Sequence, residues 1–197
     1  MNNINNQNLP LELKLFRQNY FSQNNSIMTK IFYFENCSNL QCCNCVRNKV
    51  SFNIINCLIF SLEKIRLYKE KKKAQGFFNV NLEDCFEQFE EQKLLYGYDQ
   101  IYCYNCHRQS NASCFNKLYN CPEVLTIILN REKDVEFQFP LDLNINKYII
   151  DKNCETNYEL IGALIHLGYS EMNRHFIAYC KSPVDKKWYH YNDVEVT

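Results

Sequence analysis

The chain contains very few glycines, only four in 197 residues, and the nearest two, Gly162 and Gly168, are six residues apart. Loops that cradle nucleotide phosphates need several glycines within a few residues, so the sequence excludes this class of site. The chain also carries no net charge, because its 22 basic side chains balance 22 acidic ones. Without a basic excess, neither nucleic acid nor an anionic membrane surface is an expected partner.

The sequence also lacks the segments that direct a chain into or across a membrane. No run approaches the ~18 apolar residues that are needed to span a bilayer. The N-terminal stretch "MNNINNQNLPLELKLFRQNY" has no basic segment followed by an apolar one, which a secretory signal requires. We therefore expect a cytoplasmic or nuclear protein with no membrane partner.

Cysteine, in contrast, is abundant, with twelve residues. In a reducing compartment, metal binding or plain packing explains such a number better than disulfides. Two C-x-x-C pairs, Cys42 with Cys45 and Cys103 with Cys106, each aim two thiolates at one point, and two such knuckles complete a tetrahedral zinc site. The alternative is a set of unmetallated cysteines, since a cysteine-rich chain produces C-x-x-C pairs by chance and Cys43 could replace a neighbour.

The remaining cysteines have no such partners, and the sequence predicts small buried hydrophobes. These are Cys37, Cys57, Cys85, Cys114, Cys121, Cys154 and Cys180.

The residue pattern divides the chain at about residue 25. Residues 1–25 are rich in Asn and are expected to be poorly ordered, apart from a helix-like apolar patch at Leu11 to Phe16. Residues 26–197 form the predicted domain. A helix is expected from the N-cap Asn81 to about Leu94, and the second half is rich in strands. The continuous apolar run from Val124 to Leu129 predicts a central strand covered on both faces. The pattern as a whole predicts an α+β fold with an antiparallel sheet.

The C-terminal residues suggest an acid–base pair. His175 begins the strand "HFIAYC" and Asn192 ends the strand "KWYHYN", so a hairpin turning at "SPVDK" would bring the two side chains together. Histidine is the usual general base near neutral pH, and an Asn side chain can orient an imidazole as Asp does. A histidine at a strand start is more often structural, however, and His166 and His190 are equally available on composition.

The segment "YELIGALIHLGYSEMNRHFIAYCKSPVDKKWYHYNDVEVT" resembles the histidine box of the ubiquitin-specific proteases, the papain-like family of deubiquitinating enzymes. Its matching elements are Tyr158-Glu159-Leu160, His166 with Gly168, Arg174-His175-Phe176, Trp188, and Asn192-Asp193. Upstream, "YCYNCHRQSNASCFNKLYNCPEVLTIILNRE" resembles the second zinc knuckle of the family and the strand after it, and "SIMTKIFYFENCSNLQCCNC" resembles the approach to the first knuckle. The resemblance covers residues 26–197.

The resemblance implies a fold, a set of roles and a partner. The fold would be a papain-like protease palm with a central antiparallel sheet and zinc-ribbon-like fingers. His175 would be the general base, Asn192 its orienting partner, and Asp193 a secondary polar residue. The four knuckle cysteines would hold a structural zinc ion in fingers that cradle ubiquitin. The implied partners are therefore ubiquitin and ubiquitinated proteins.

The sequence departs from the family pattern in three places. Arg174 replaces a glycine that lets the ubiquitin tail pass close to the backbone, and Phe176 replaces a tyrosine. The cysteine box, a Gly-Asn-Thr-Cys turn at a helix start, has no match. Its nearest equivalent, Asn36-Cys37-Ser38, lies inside the finger segment.

The missing cysteine box leaves two functional hypotheses. In the first, the chain is the C-terminal part of a cysteine-type deubiquitinase, without its thumb subdomain, and inactive until an N-terminal part supplies the nucleophile. Retention of His175 and Asn192 favours this hypothesis. In the second, which Arg174 favours, the chain is a catalytically inactive ubiquitin-binding or scaffold module.

Overall fold

The computed structural model describes residues 11–72, 79–131, 135–168 and 175–197. The chain forms two compact units. The first comprises Met1–Phe139 and Ile145–Thr156, and the second comprises Pro140–Asn144 and Asn157–Thr197. Helices and mostly antiparallel strands occur together, so the predicted α+β class is confirmed. Within the described ranges, no helix has the length and apolar character that a membrane span requires.

The helices that the structure describes all belong to the first unit. They are α1 (Leu11–Gln23), α2 (Ile27–Phe32), α3 (Leu62–Lys72) and α4 (Leu82–Phe89), with short 3-10 helices at Gly97–Asp99 and Asn146–Tyr148. The strands of this unit are β1 (Phe34–Cys42), β2 (Asn48–Ile55), β3 (Leu58–Ser61), β4 (Val80–Asn81), β5 (Lys93–Leu95), β6 (Ile101–Cys103), β7 (Arg108–Ser110), β8 (Ala112–Leu118), β9 (Ile127–Asn130) and β10 (Phe137–Gln138).

A four-stranded antiparallel sheet, in the order β2-β1-β8-β5, is the largest sheet of the first unit. Strand β1 lies inside it and pairs with β2 from Phe34 opposite Ile55 onward, and with β8 up to Cys42 opposite Ala112. The β6–β7 hairpin forms a separate two-stranded sheet. We call the β2-β1-β8-β5 sheet and the β6–β7 hairpin together the finger.

Helix α1 packs on one face of the finger sheet. Leu13 is fully buried and lies in a cluster with Cys37, Phe52 and Tyr119. The helix-like patch expected at residues 11–16 lies within α1, which continues through residues 17–23, a segment that was expected to be poorly ordered. Residues 1–10 lie outside the described residues.

An ion pair fastens α1 to the first residues of β1. The guanidinium of Arg17 donates two hydrogen bonds to the carboxylate of Glu35, at 2.6 and 2.5 Å, and lies 5.4 Å from the ring centroid of Tyr119. Glu35 is almost completely buried, and its backbone N–H donates to Oδ1 of Asn120 at 2.7 Å. A buried carboxylate needs such partners because desolvation strongly penalises its charge.

Helix α4 begins as predicted and ends earlier than predicted. Asn81 is its N-cap and accepts from the backbone N–H of Asp84, whose carboxylate accepts from the N–H of Asn81 in return. Asp84 also pairs with the buried Lys69 of α3 at 2.6 Å. The helix ends at Phe89, and residues 93–95 form β5, because they pair with the edge of β8.

The predicted central strand at Val124 to Leu129 is the least accurate of the sequence expectations. The observed strand β9 begins at Ile127 and makes a two-stranded parallel sheet with β3. Its side chains alternate between half-buried and exposed, and Ile128 is 42% exposed. An apolar run alone does not reveal whether neighbouring strands exist on both sides, which explains the error.

The regular secondary structure described in the second unit consists of strands. They are β11 (Asp142–Asn144), β12 (Asn157–Glu159), β13 (Gly162–Leu167), β14 (His175–Lys181), β15 (Trp188–Asn192) and β16 (Glu195–Val196). The last four form an antiparallel sheet in chain order, β13-β14-β15-β16. We call it the terminal sheet, and β14 and β15 are its inner strands.

We expect the substitution Arg17→Ala to destabilise the first unit. Without its guanidinium, the Glu35 carboxylate stays buried and unpaired, so the free energy of unfolding should fall by about 3 kcal/mol. Urea unfolding of the variant and the wild type measures this difference. Lys14→Ala, on the exposed side of the same helix, is the matched control and should change the value by less than about 0.5 kcal/mol. Equal losses in the two variants would contradict the role of the pair.

Candidate active site and metal centre

Four cysteines of the finger converge on one point. The Sγ atoms of Cys42, Cys45, Cys103 and Cys106 all lie within 4.8 Å of one another. Two of the separations are 3.9 Å, between Cys42 and Cys106, and 3.6 Å, between Cys45 and Cys103. Four thiolates around a tetrahedral zinc ion, each about 2.3 Å from it, lie about 3.8 Å apart. The four cysteines therefore fit a metal ion, and we call them the tetrad.

Each C-x-x-C knuckle ends in a backbone conformation that L-residues rarely adopt. Val46, which follows Cys45, has φ 59°, and His107, which follows Cys106, has φ 53°. Glycine is the usual residue in this left-handed region. The first knuckle closes through a hydrogen bond from the N–H of Val46 to the carbonyl of Cys42 at 2.9 Å. A non-glycine residue therefore adopts the left-handed conformation directly after each knuckle.

The thiols of the tetrad differ in their tendency to ionise. A hydrogen bond from the backbone N–H of Cys45 is the main reason why the pKa of Cys42 falls to about 6. The pKa of Cys106 rises to about 12, chiefly because its thiol donates to the Cys45 thiolate. Adjacent thiolates repel one another, which opposes the ionisation of Cys106 in the absence of a cation. A bound metal ion would remove this repulsion and allow all four to ionise.

The terminal sheet places the second candidate site. Strands β14 and β15 form the predicted hairpin, with Ala178 opposite Tyr191 and Lys181 opposite Trp188. At its open end, Nε2 of His175 lies 2.6 Å from Oδ1 of Asn192. The structure thus brings together the two side chains that the sequence paired.

The hydrogen bond determines the tautomer of His175. An amide oxygen can only accept, so the proton of this bond resides on Nε2 and the unprotonated Nδ1 is the basic nitrogen. Both side chains are partly buried, which restricts the ring to this orientation. Asp193 lies in the two-residue turn that follows, with φ 52°, and is exposed.

The seven cysteines that were predicted to be buried differ in their exposure. Cys37 and Cys85 are buried, and burial raises the pKa of their thiols to about 11 and about 12, respectively. Cys180 is exposed, contrary to the prediction of a buried residue. It lies on β14 at an odd separation from His175, so the two side chains point to opposite faces of the sheet. Cys57, Cys114, Cys121 and Cys154 are only partly buried.

Phe176 and Arg174 also depart from the family pattern, and the structure describes only the first of them. Phe176 is half exposed and lies on the face opposite His175, where its ring contacts His166 at a centroid distance of 4.7 Å. Arg174 lies outside the described residues.

Comparison with known proteins identifies the family. A family model described as ubiquitin carboxyl-terminal hydrolase matches residues 3–197. The chain belongs to the ubiquitin carboxyl-terminal hydrolase family. It is of the ubiquitin-specific protease type, as the histidine box and the knuckles suggested.

Individual relatives within the family are moderately similar. Ubiquitin carboxyl-terminal hydrolase 48 of Rattus norvegicus is 28% identical over 142 residues, which are 66% of this chain and 14% of that protein. Ubiquitin carboxyl-terminal hydrolase 12 of Saccharomyces cerevisiae is 29% identical over 148 residues, or 69% and 12%. A probable ubiquitin carboxyl-terminal hydrolase 16 of Schizosaccharomyces pombe is 32% identical over 111 residues, or 52% and 24%. The match therefore spans less than a quarter of the length of each of these relatives.

Within this member of the ubiquitin carboxyl-terminal hydrolase family, sequence reasoning missed one buried polar residue beside the tetrad. Ser110 is 1% exposed, and its hydroxyl accepts a hydrogen bond from the side-chain amide of Asn44 at 3.0 Å. Both knuckles read C-x-N-C, with Asn44 in the first and Asn105 in the second, but this shared asparagine does not identify a serine partner.

We expect Val46→Gly to stabilise the finger. A β-branched residue at φ 59° is strained by about 1 kcal/mol or more, and glycine removes the strain at a smaller cost in chain entropy. The thermal midpoint of the variant should therefore rise by a few degrees. Arg47→Gly, one residue further along, is the control and should not raise it. A lower midpoint for Val46→Gly would show that the left-handed turn carries no strain.

Proposed function

We propose that this chain is the C-terminal part of a cysteine-type deubiquitinase that hydrolyses the isopeptide bond after the C-terminal Gly-Gly of ubiquitin. The observation that carries the proposal is the 2.6 Å contact between His175 and Asn192, in a chain of the ubiquitin carboxyl-terminal hydrolase family. A ubiquitin-binding module has no chemical need for a base with a fixed tautomer. The corresponding partners are ubiquitin and ubiquitinated proteins.

His175 acts as the general base and then as the general acid in this proposal. Its Nδ1 removes the proton from a cysteine thiol, and the thiolate attacks the isopeptide carbonyl. The imidazolium then gives this proton to the departing lysine amine, which leaves an acyl-thioester on the cysteine. Water, deprotonated by the same nitrogen, hydrolyses the thioester and releases the ubiquitin carboxylate and the free thiol.

Asn192 orients the base in each of these steps. Its Oδ1 accepts the Nε2 proton and so keeps Nδ1 available for proton transfer. Asp193, as the next residue, has a secondary polar role at the exposed turn. The nucleophile in this proposal is supplied from outside these 197 residues, because none of the cysteines in the chain lies in a Gly-Asn-Thr-Cys turn. In addition, Cys37 and Cys85 are buried, and Cys180 points to the face opposite His175.

The second candidate function is a non-catalytic ubiquitin-binding or scaffold module. It is favoured by Arg174, which precedes His175 in the sequence where the family pattern has glycine, and by the lack of a Gly-Asn-Thr-Cys turn. Both functions involve ubiquitin and differ only in whether His175 takes part in chemistry.

We further propose that the tetrad binds a structural zinc ion through Cys42, Cys45, Cys103 and Cys106. All-thiolate tetrahedral sites without an open position are typical of structural zinc. The ion would join the loop after β1 to the β6–β7 hairpin and take no part in the reaction. Its chemistry is limited to holding four thiolates together.

The catalytic roles can be tested by transferring the histidine box to an active ubiquitin-specific protease, whose own box is replaced by residues 157–197. We expect this chimera to cleave a fluorogenic ubiquitin amide, and the 197-residue chain alone to cleave none. His175→Ala in the chimera should lower kcat by about 1000-fold or more, because the thiol loses its base. Asn192→Ala should lower it by about 100-fold, and Asn192→Asp should restore most of the loss.

Two results would contradict this assignment. The control His166→Ala, on the opposite face from the base, should retain kcat within about twofold. A chimera that binds ubiquitin but turns over nothing would favour the scaffold module. Turnover by the 197-residue chain that disappears on substituting one of its cysteines would show that the nucleophile lies within it.

If the tetrad binds zinc, elemental analysis of the purified chain should find about one zinc ion per chain. Cys106→Ser should abolish stoichiometric binding, whereas Cys43→Ser, an exposed cysteine inside the first knuckle, should retain it. Removal of the metal with a chelator should increase amide hydrogen exchange in the finger and leave the terminal sheet protected. A zinc content well below one ion per chain would contradict the site. Loss of zinc in Cys43→Ser would show that Cys43 is one of the ligands.

A further inference from the structure

The two knuckles are joined by contacts that do not involve their thiols. The side-chain amide of Asn44, in the first knuckle, donates to the hydroxyl of Ser110 at 3.0 Å. The adjacent backbone N–H of Cys43 donates to the carbonyl of Asn111 at 2.9 Å. Both acceptors belong to the chain that follows the second knuckle. The two bonds therefore connect the knuckles side by side without requiring an ion.

Ser110 links the contact with Asn44 to the position of a tetrad thiol. It ends β7 opposite Ile101, and Arg108 lies opposite Cys103 in the same hairpin. Because directly opposed residues share a face, Ser110 projects on the side of the hairpin that carries Cys103. The position of Asn44 relative to Ser110 therefore determines the position of the first knuckle relative to the thiol of Cys103.

The burial of Ser110 makes its partner important. The residue is 1% exposed, and apart from Asn44 its hydroxyl has a weak contact with the carbonyl of Arg108 at 3.4 Å. A buried hydroxyl that loses its good partner costs free energy, whereas the exposed amide of Asn44 can return to water. The finger therefore favours the arrangement in which the two side chains meet.

The contact also opposes the repulsion within the tetrad. Thiolates less than 5 Å apart repel one another until a cation binds. A site whose ligands are held close in advance binds the ion without paying the full cost of ordering them, so its affinity rises. Partners outside the ligand shell commonly change metal affinity by 10–100-fold in this way.

We propose that Asn44 and Ser110 form a metal-independent clamp that holds the two knuckles at ligating distance and sets the zinc affinity of the finger. The proposal rests on zinc binding by the tetrad and goes beyond it, since neither residue is a ligand. In the metal-free protein, the clamp keeps the amide of Cys43 bonded to Asn111.

The test measures the zinc dissociation constant of the full chain by competition with a chromophoric chelator, for Asn44→Ala, Ser110→Ala and the double variant. We expect each single variant to bind zinc about tenfold more weakly. The double variant should be no weaker than the weaker single one, since both remove the same bond. In the metal-free wild type, the Cys43 amide should be protected from hydrogen exchange, and this protection should be lost in Asn44→Ala.

Gln100→Ala is the matched control. It removes an exposed side-chain hydrogen bond to Asn111 on the same finger, without removing a bond between the knuckles, and should bind zinc as the wild type does. Cobalt absorbance should show tetrahedral thiolate coordination in all variants that bind metal, which verifies that the finger is folded. If Ser110→Ala does not fold, Asn44→Ala alone tests the clamp. Asn44 is exposed, so its substitution leaves no cavity in the finger.

Three outcomes would overturn the clamp. Zinc affinities of the single variants within twofold of wild type would show that the contact does not affect the metal. Losses that multiply in the double variant would show that the two residues act separately. A wild-type chain that binds no zinc would remove the tetrad as a zinc site and the clamp with it, and the wild-type measurement alone reveals this case.

Discussion

The backbone hydrogen bonds between β1 and β8 place the first knuckle next to the second, although the two knuckles are far apart in sequence. Their register places Cys42, the last residue of β1, opposite Ala112, which directly follows the loop after β7. The same pairing brings the loop of the first knuckle against Ser110 and Asn111. The tetrad therefore depends on strand pairing first and on its thiols second, and a metal ion would reinforce an arrangement that the backbone already favours.

Strand pairing also positions the two side chains of the proposed catalytic pair in the terminal sheet. The pairing of β14 with β15 brings a residue that begins one strand beside a residue that ends the next, on one face. Side chains that alternate along a strand also separate functions. His175 and Asn192 share one face, whereas Phe176 and Cys180 occupy the other. The exposed thiol of Cys180 is therefore kept away from the His175 imidazole by strand geometry alone.

Sequence reasoning succeeded where short-range rules apply. The two C-x-x-C knuckles, the Asn81 cap and the His175–Asn192 hairpin depend on residues close in sequence or on a single turn. It failed where distant segments decide the outcome. The docking of α1 depends on the buried carboxylate of Glu35, and the position of β9 depends on β3. Ser110 could not be found because nothing in its own neighbourhood distinguishes a buried serine from an exposed one.

The turn from Ser182 to Lys187 joins the two strands of the proposed catalytic pair, and Lys186 adopts a left-handed conformation there with φ 61°. Extra residues can lengthen this connection harmlessly as long as Ala178 continues to face Tyr191. A slip of one position between the strands, in contrast, would rotate Asn192 to the far side and leave the imidazole without its acceptor. Insertions and deletions in this turn are therefore tolerated when they preserve the pairing register of β14 with β15. The length of the turn itself matters much less.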